Sequence, residues 1–167
     1  AKKVLAMPLA AMKYYTAAEI EFAGQPAIVS RTGYTGEDGV EVIVPTAVAL
    51  PLWEALSSTP GVTPCGLGCR DTLRLEAGMP LYGHELDEDI NPFQAGLDFA
   101  VNLADRMFPG RDALVKLRDD LSLPRRAGWV VSGKRVPRQG CAVMVDHQPV
   151  GRVTSGTLAP TVNQPIA

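Results

Sequence analysis

Apolar and polar residues alternate in short runs near the start of this chain and then give way to a longer period. Residues 20–22 and 27–31 flank Ala23-Gly24-Gln25-Pro26, which predicts two short strands joined as a hairpin. At residues 40–44 the alternation is regular: Val40, Val42 and Val44 fall on one face of a strand, Glu41 and Ile43 on the other. From Thr46 toward Ser58, Leu50, Trp53 and Leu56 recur at helical spacing, with Pro51 in the first turn or kinking the helix. Thr59-Pro60-Gly61 ends that helix.

A second helix is predicted over residues 67–77, closed by Gly78 as a left-handed cap with Pro80 beyond it. Acidic residues 85–89 lead into a loop at Asn91-Pro92, residues 97–103 read as a strand, and residues 111–121 as an amphipathic helix burying Leu114, Leu117 and Leu121. At Leu123-Pro124-Arg125-Arg126 the period changes from helical to strand-like, with short strands at 127–131, 141–145 and 150–154 and turns at Gly133 and 146–149. The pattern predicts an α+β region over residues 1–122, an antiparallel sheet with helices on one side, followed over 123–167 by an incomplete all-β unit. Three strands do not close a barrel, so unpaired edges and self-association through them are expected.

Composition narrows the function without naming it. With 46% hydrophobic and 20% charged residues and a net charge of −2, the chain has the make-up of a globular protein and no basic surplus that would attract nucleic acid. No apolar run approaches the ~18 residues of a membrane span, so no membrane partner is expected. The three cysteines read as reduced thiols of a cytoplasmic protein. Cys65 and Cys69 are spaced CxxxC rather than CxxC, which argues against a zinc site with His84 or His147. Asp87, Asp89, Asn91 and Asp98 fit four places of a calcium-loop template, but Pro92 stands where its glycine is required. No metal site is expected. No GxSxG, GxGxxG or Walker pattern occurs, and no catalytic residue is assigned.

Two stretches carry chemistry. Residues 31–42 read RTGYTGEDGVEV, and residues 68–88 read GCRDTLRLEAGMPLYGHELDE. Gly33, Gly36 and Gly39 predict a tight irregular connection, since glycine reaches positive φ without steric cost. Arg70 and Arg74, four apart on the predicted helix, project from one face. An acid, two guanidiniums and an aromatic suit a flat, polar heterocyclic ligand. Both stretches resemble the aminomethyltransferase (T-protein) family of the glycine cleavage system, and the similarity continues through NPFQAGLDFAVNL at 91–103, FPGRDAL at 108–114 and GRVTSGTLAP at 151–160.

The resemblance implies a tetrahydrofolate-dependent enzyme that takes a one-carbon unit from the aminomethylated dihydrolipoyl arm of a lipoylated H-protein carrier and releases ammonia. It also reads the chain as the latter part of a folate-binding core plus the start of a C-terminal β-barrel. The family's key aspartate would lie upstream, leaving these residues inactive alone. On pattern alone Glu41 is a solvent-facing residue of a sheet; in the family it holds the position of the folate-binding glutamate, whose two coplanar acceptors match a pterin's ring N–H and amino group. Arg70 could equally pair with Asp71, Glu41 or Glu76, but it stands at the folate-contacting arginine. Tyr34 either packs on its own loop's glycines or stacks on the ligand, and the family favours the ligand. Arg74 either supports the site or solvates the helix; Met79 and Tyr82 are further lining candidates. A folate-binding module of a sarcosine- or dimethylglycine-dehydrogenase-type enzyme is the alternative, and an RNA-modification-related paralogue fits the two motifs less well.

Overall fold

A computed structural model describes residues 2–167, which form two compact units, one up to Asp71 and the other from Thr72 onward. In the first unit a three-stranded antiparallel sheet, order β1-β2-β3, is built from β1 (Ala17–Phe22), β2 (Gln25–Ser30) and β3 (Glu41–Ile43). The β1–β2 turn is Ala23-Gly24, both at positive φ (49° and 73°), the two-residue geometry whose twist matches that of the flanking strands. The hairpin strands are therefore longer than the alternation predicted, and Pro26 sits inside β2 opposite Glu21.

One sheet face is apolar. Val29 pairs with both Ala18 and Val42 and is fully buried against Leu5 of α1 (Lys2–Leu5) and Leu52 of α2 (Thr46–Ser57). Val40, Val42 and Val44 join that core as expected, so both helices cover one side. The helical side that packs is Val48, Leu52 and Leu56, each four residues apart; Leu50 and Trp53 are exposed. Pro51 lies in the second turn, not the first. The other sheet face carries Glu19, Glu21, Ile28, Ile43 and Glu41.

Helix α3 (Leu67–Glu76) ends as its sequence predicts. Gly78, at φ 68°, donates to Leu75 O (2.9 Å) while Met79 N–H reaches Arg74 O (2.8 Å), closing a Schellman cap. The apolar run 97–103 is not a strand. Residues 98–100 form a single 3-10 turn, with Asn91 Oδ1 accepting the Phe93 and Gln94 N–H groups (3.0 and 3.1 Å) before it and Asn102 Oδ1 accepting those of Ala104 and Asp105 (both 3.1 Å) after it. Within the run, the Leu97, Ala100 and Val101 N–H groups bond to the Pro92, Leu97 and Asp98 carbonyls (2.8, 3.0 and 3.0 Å), so groups that a strand would offer to a partner are met by turns. Helix α4 (Arg111–Leu117) is shorter than predicted: Asp120 captures the Ser122 N–H (2.9 Å) in a competing turn and Leu121 is exposed.

Two antiparallel hairpins complete the second unit, β4 (Ala142–Val145) with β5 (Gln148–Arg152) and β6 (Thr157–Ala159) with β7 (Gln164–Ile166). The β6–β7 pair was not anticipated. The strand expected at 127–131 reduces to one bridge, Val130 to Ile166, flanked by Trp129–Ala167 backbone bonds of 2.8 and 3.0 Å. Gly156 is obligatory, because a Cβ there would collide with the Pro137 carbonyl. Among the described residues the fold is thus α+β with antiparallel pairing throughout its named strands.

Candidate functional site

The loop over residues 31–40 is pinned at its base. Arg31 is buried, donates to Leu9 O (2.8 Å), lies 5.4 Å over the Tyr14 ring and forms an ion pair with Asp38. A buried guanidinium with these partners fixes where the loop leaves β2. Of its three glycines only Gly36 takes positive φ (74°), so the expectation for Gly33 and Gly39 is not met.

Glu41 opens β3 on the outward face, opposite Ser30, with its side chain exposed. Its Oε2 accepts from Thr32 Oγ1, which also lies 2.9 Å from Ser30 Oγ. A hydroxyl carries one proton and a carboxylate can only accept, so this chain of hydroxyls orients Glu41 while leaving lone pairs free on both its oxygens. Three residues into the loop, the half-buried Tyr34 ring is covered by the Arg70 guanidinium, whose carbon lies 4.4 Å from the ring centroid. The structure therefore brings Tyr34 and Arg70 into direct contact, while Glu41 is oriented separately by Thr32 at the foot of the same loop. A cation stacked on a tyrosine presents a flat, donor-rich surface, and Glu41 presents acceptors. Thr32 escaped notice in the sequence because a threonine in a glycine-rich loop has no period to mark it.

The second unit holds a buried polar cluster that was not foreseen. Arg74, open by sequence between supporting the site and solvating the helix, is 1% exposed; it donates to Glu85 Oε2 (2.9 Å), Met79 O (3.2 Å) and Ser155 Oγ (2.8 Å). Ser155 Oγ donates in turn to Glu85 Oε1 (2.6 Å), and Leu81 N–H reaches Oε2 (2.9 Å). His84 Nδ1 lies 3.1 Å from Thr154 O and 3.4 Å from Ser155 Oγ. A carbonyl accepts only, which assigns the proton to Nδ1. The serine proton is committed to Glu85 rather than to histidine, so this set is a structural tie and not a nucleophile with its base. The clue available was an arginine between Leu73 and Leu75; its acceptors lay too far along the chain to be guessed.

Burial by itself raises the Glu85 carboxyl, but hydrogen bonds from Ser155, Thr154 and Leu81, with the Arg74 charge, outweigh it and hold the pKa below the ordinary 4.5. A depressed folded-state pKa contributes stability that is complete above the unfolded value and is lost as pH falls through the folded one. Urea unfolding midpoints should therefore fall as pH drops below about 4.5, and Glu85→Gln should flatten that acid slope. An unchanged slope in the variant would remove Glu85 from the acid response. Among the described residues no group of three or more His, Cys, Asp or Glu side chains could hold a metal ion, and no helix is long and apolar enough to cross a membrane.

Comparison with known proteins places this geometry in a family. Residues 2–105 match the GCVT N-terminal domain and residues 125–167 the glycine cleavage T-protein C-terminal barrel domain. The chain is 50% identical over 161 residues to an aminomethyltransferase of Synechococcus elongatus, covering 95% of the chain and 43% of that protein. It is 49% identical over 153 residues to the aminomethyltransferase of Chlorobium luteolum, covering 88% of the chain and 41% of that protein. The crystal structure of the glycine cleavage system aminomethyltransferase T from Bartonella henselae superposes with a TM-score of 0.89 at 30% identity, over 99% of the chain and 46% of that structure. The chain thus spans less than half the length of these relatives. By its match to both domains, it belongs to the glycine cleavage T-protein family.

Proposed function

We propose that this chain serves a tetrahydrofolate-dependent aminomethyltransferase of the glycine cleavage system, with Glu41, Arg70 and Tyr34 on the folate. The observation that carries this reading is the outward Glu41 carboxylate, oriented by Thr32 at the foot of the loop whose Tyr34 bears the Arg70 guanidinium. The carboxylate would accept from the pterin's ring N–H and amino group in a bidentate pair. Arg70 and Tyr34 would supply a planar surface beside it. In the reaction the carrier's S–CH2–NH2 carbon becomes bonded to the two folate nitrogens; their two protons leave on the released thiol and ammonia, giving methylene-tetrahydrofolate. The contribution of these residues is positioning: they hold the folate so that its nitrogen meets the carbon in a fixed orientation. The partner is a lipoylated H-protein, and three free thiols accord with a reaction in the reducing cytoplasm. The aminomethyltransferase names of the relatives disfavour the dehydrogenase-linked module.

Thr32→Val tests the reading. Loss of the hydroxyl that orients Glu41 should weaken tetrahydrofolate binding roughly 3- to 10-fold, the worth of one hydrogen bond, and Thr32→Ser should restore it. NMR titration, which measures dissociation constants into the millimolar range, reads the difference. No tetrahydrofolate-dependent shift at Tyr34 or Glu41 in the unaltered chain would overturn the assignment.

A further inference from the structure

Arg31 is fixed before it meets the loop that follows it. Its N–H donates to Thr16 O (2.8 Å), its carbonyl accepts from Tyr15 N–H (3.1 Å), and Nη1 reaches Leu9 O (2.8 Å). The backbone bonds extend the β1–β2 pairing past Ser30, so the sheet, not the loop, anchors the guanidinium. Nη2 pairs with Asp38, seven residues on. The arginine side chain is 11% exposed and the aspartate 72%, so a fixed, buried cation holds an acid that the loop carries at its far end. Arg31 Nε is buried with no hydrogen-bond partner, which leaves the guanidinium the more dependent on the carboxylate.

Between Ser30 and Glu41, which pair across β2 and β3, the chain makes an excursion over residues 31–40. The ion pair closes residues 32–37 within it as a smaller ring, and Tyr34 lies inside that ring. Glycine loses more backbone freedom on ordering than any other residue, so a segment with Gly33 and Gly36 settles into one form only where another contact closes it. We propose that Asp38 is a positioning residue of the ligand site: acting through Arg31, it holds Tyr34 where the Arg70 guanidinium covers the ring, 4.4 Å from its centroid. Asp38 is exposed, as are Glu37 and Gly39 beside it, and it lies outside the Leu5–Val29–Leu52 core. Its effect on ligand binding rests on the tetrahydrofolate reading above; its effect on the loop does not.

The experiment is NMR on the whole chain, first without ligand. Side-chain protons of Arg70 over the Tyr34 ring are moved upfield by its ring current, and Tyr34→Leu supplies the unshifted reference. Asp38→Asn, which keeps the shape and removes the charge, should carry the Arg70 resonances most of the way to that reference. Asp38→Glu, which restores the charge, should bring them back. In a tetrahydrofolate titration Asp38→Asn should weaken binding roughly 3- to 10-fold, as follows when the binding form of the loop is populated about a third to a tenth of the time. A lowered thermal midpoint with the Arg70 resonances unmoved would make Asp38 a structural residue only. Weaker binding with those resonances unmoved would make it a ligand contact, and either result overturns the positioning role. Should the unaltered chain bind no tetrahydrofolate while Asp38→Asn still shifts Arg70, the folate reading fails and the positioning of Tyr34 stands.

Discussion

Arg74→Met is expected to lower the stability of the unit from Thr72 onward by about 3–5 kcal/mol, the cost of leaving a buried charge without its partner. Glu85 keeps its place, 6% exposed, with Ser155 and Leu81 still donating to it, but the guanidinium that balanced it is gone. The same substitution strips a donor from Ser155 Oγ and from the Met79 carbonyl. Urea denaturation of the variant measures the loss. The double variant Arg74→Met, Glu85→Leu should recover part of it, since it removes the orphaned charge along with its partner. A loss under about 1 kcal/mol for the single variant would mean that water reaches Glu85 and that the cluster does not tie β6 and its neighbours to α3.

Glu41→Gln should weaken tetrahydrofolate binding by about 1.5–3 kcal/mol, roughly 10- to 150-fold, while leaving the fold intact. The side chain is exposed and its partner Thr32 can still donate to the amide carbonyl. What changes is the second atom, a donor where the pterin presents a donor. Titration at pH 7 reads the affinity, and thermal unfolding of the variant checks that the sheet is undisturbed. An unaltered dissociation constant would take Glu41 out of the site and leave the Arg70–Tyr34 stack as a structural contact of the loop.

Features that depend on near neighbours were legible in the residues. The valine alternation at 40–44 and the Gly78 cap were read correctly, and the turn expected at 146–149 is present but confined to Asp146-His147, because pleat geometry, left-handed glycine and two-residue turns act within a few positions. The family motifs singled out Glu41, Arg70 and Tyr34 as the proposed folate contacts, and the structure places the Arg70 guanidinium over the Tyr34 ring, two stretches of one unit that are distant in sequence. What stayed hidden was decided by partners far along the chain. Residues 97–103 have strand-like composition, yet a strand needs a facing edge; with none supplied, the Leu97, Ala100 and Val101 N–H groups turn back to the Pro92, Leu97 and Asp98 carbonyls. Residues 127–131 pair only where Ile166 and Ala167 reach them. Spacing left Arg74 open between supporting the site and solvating its helix; it is buried because Glu85 and Ser155, 11 and 81 positions away, surround it with enough acceptors to offset its desolvation. Propensity and period specify how a segment turns; whether a charge can be buried depends on which groups the folded chain brings to meet it.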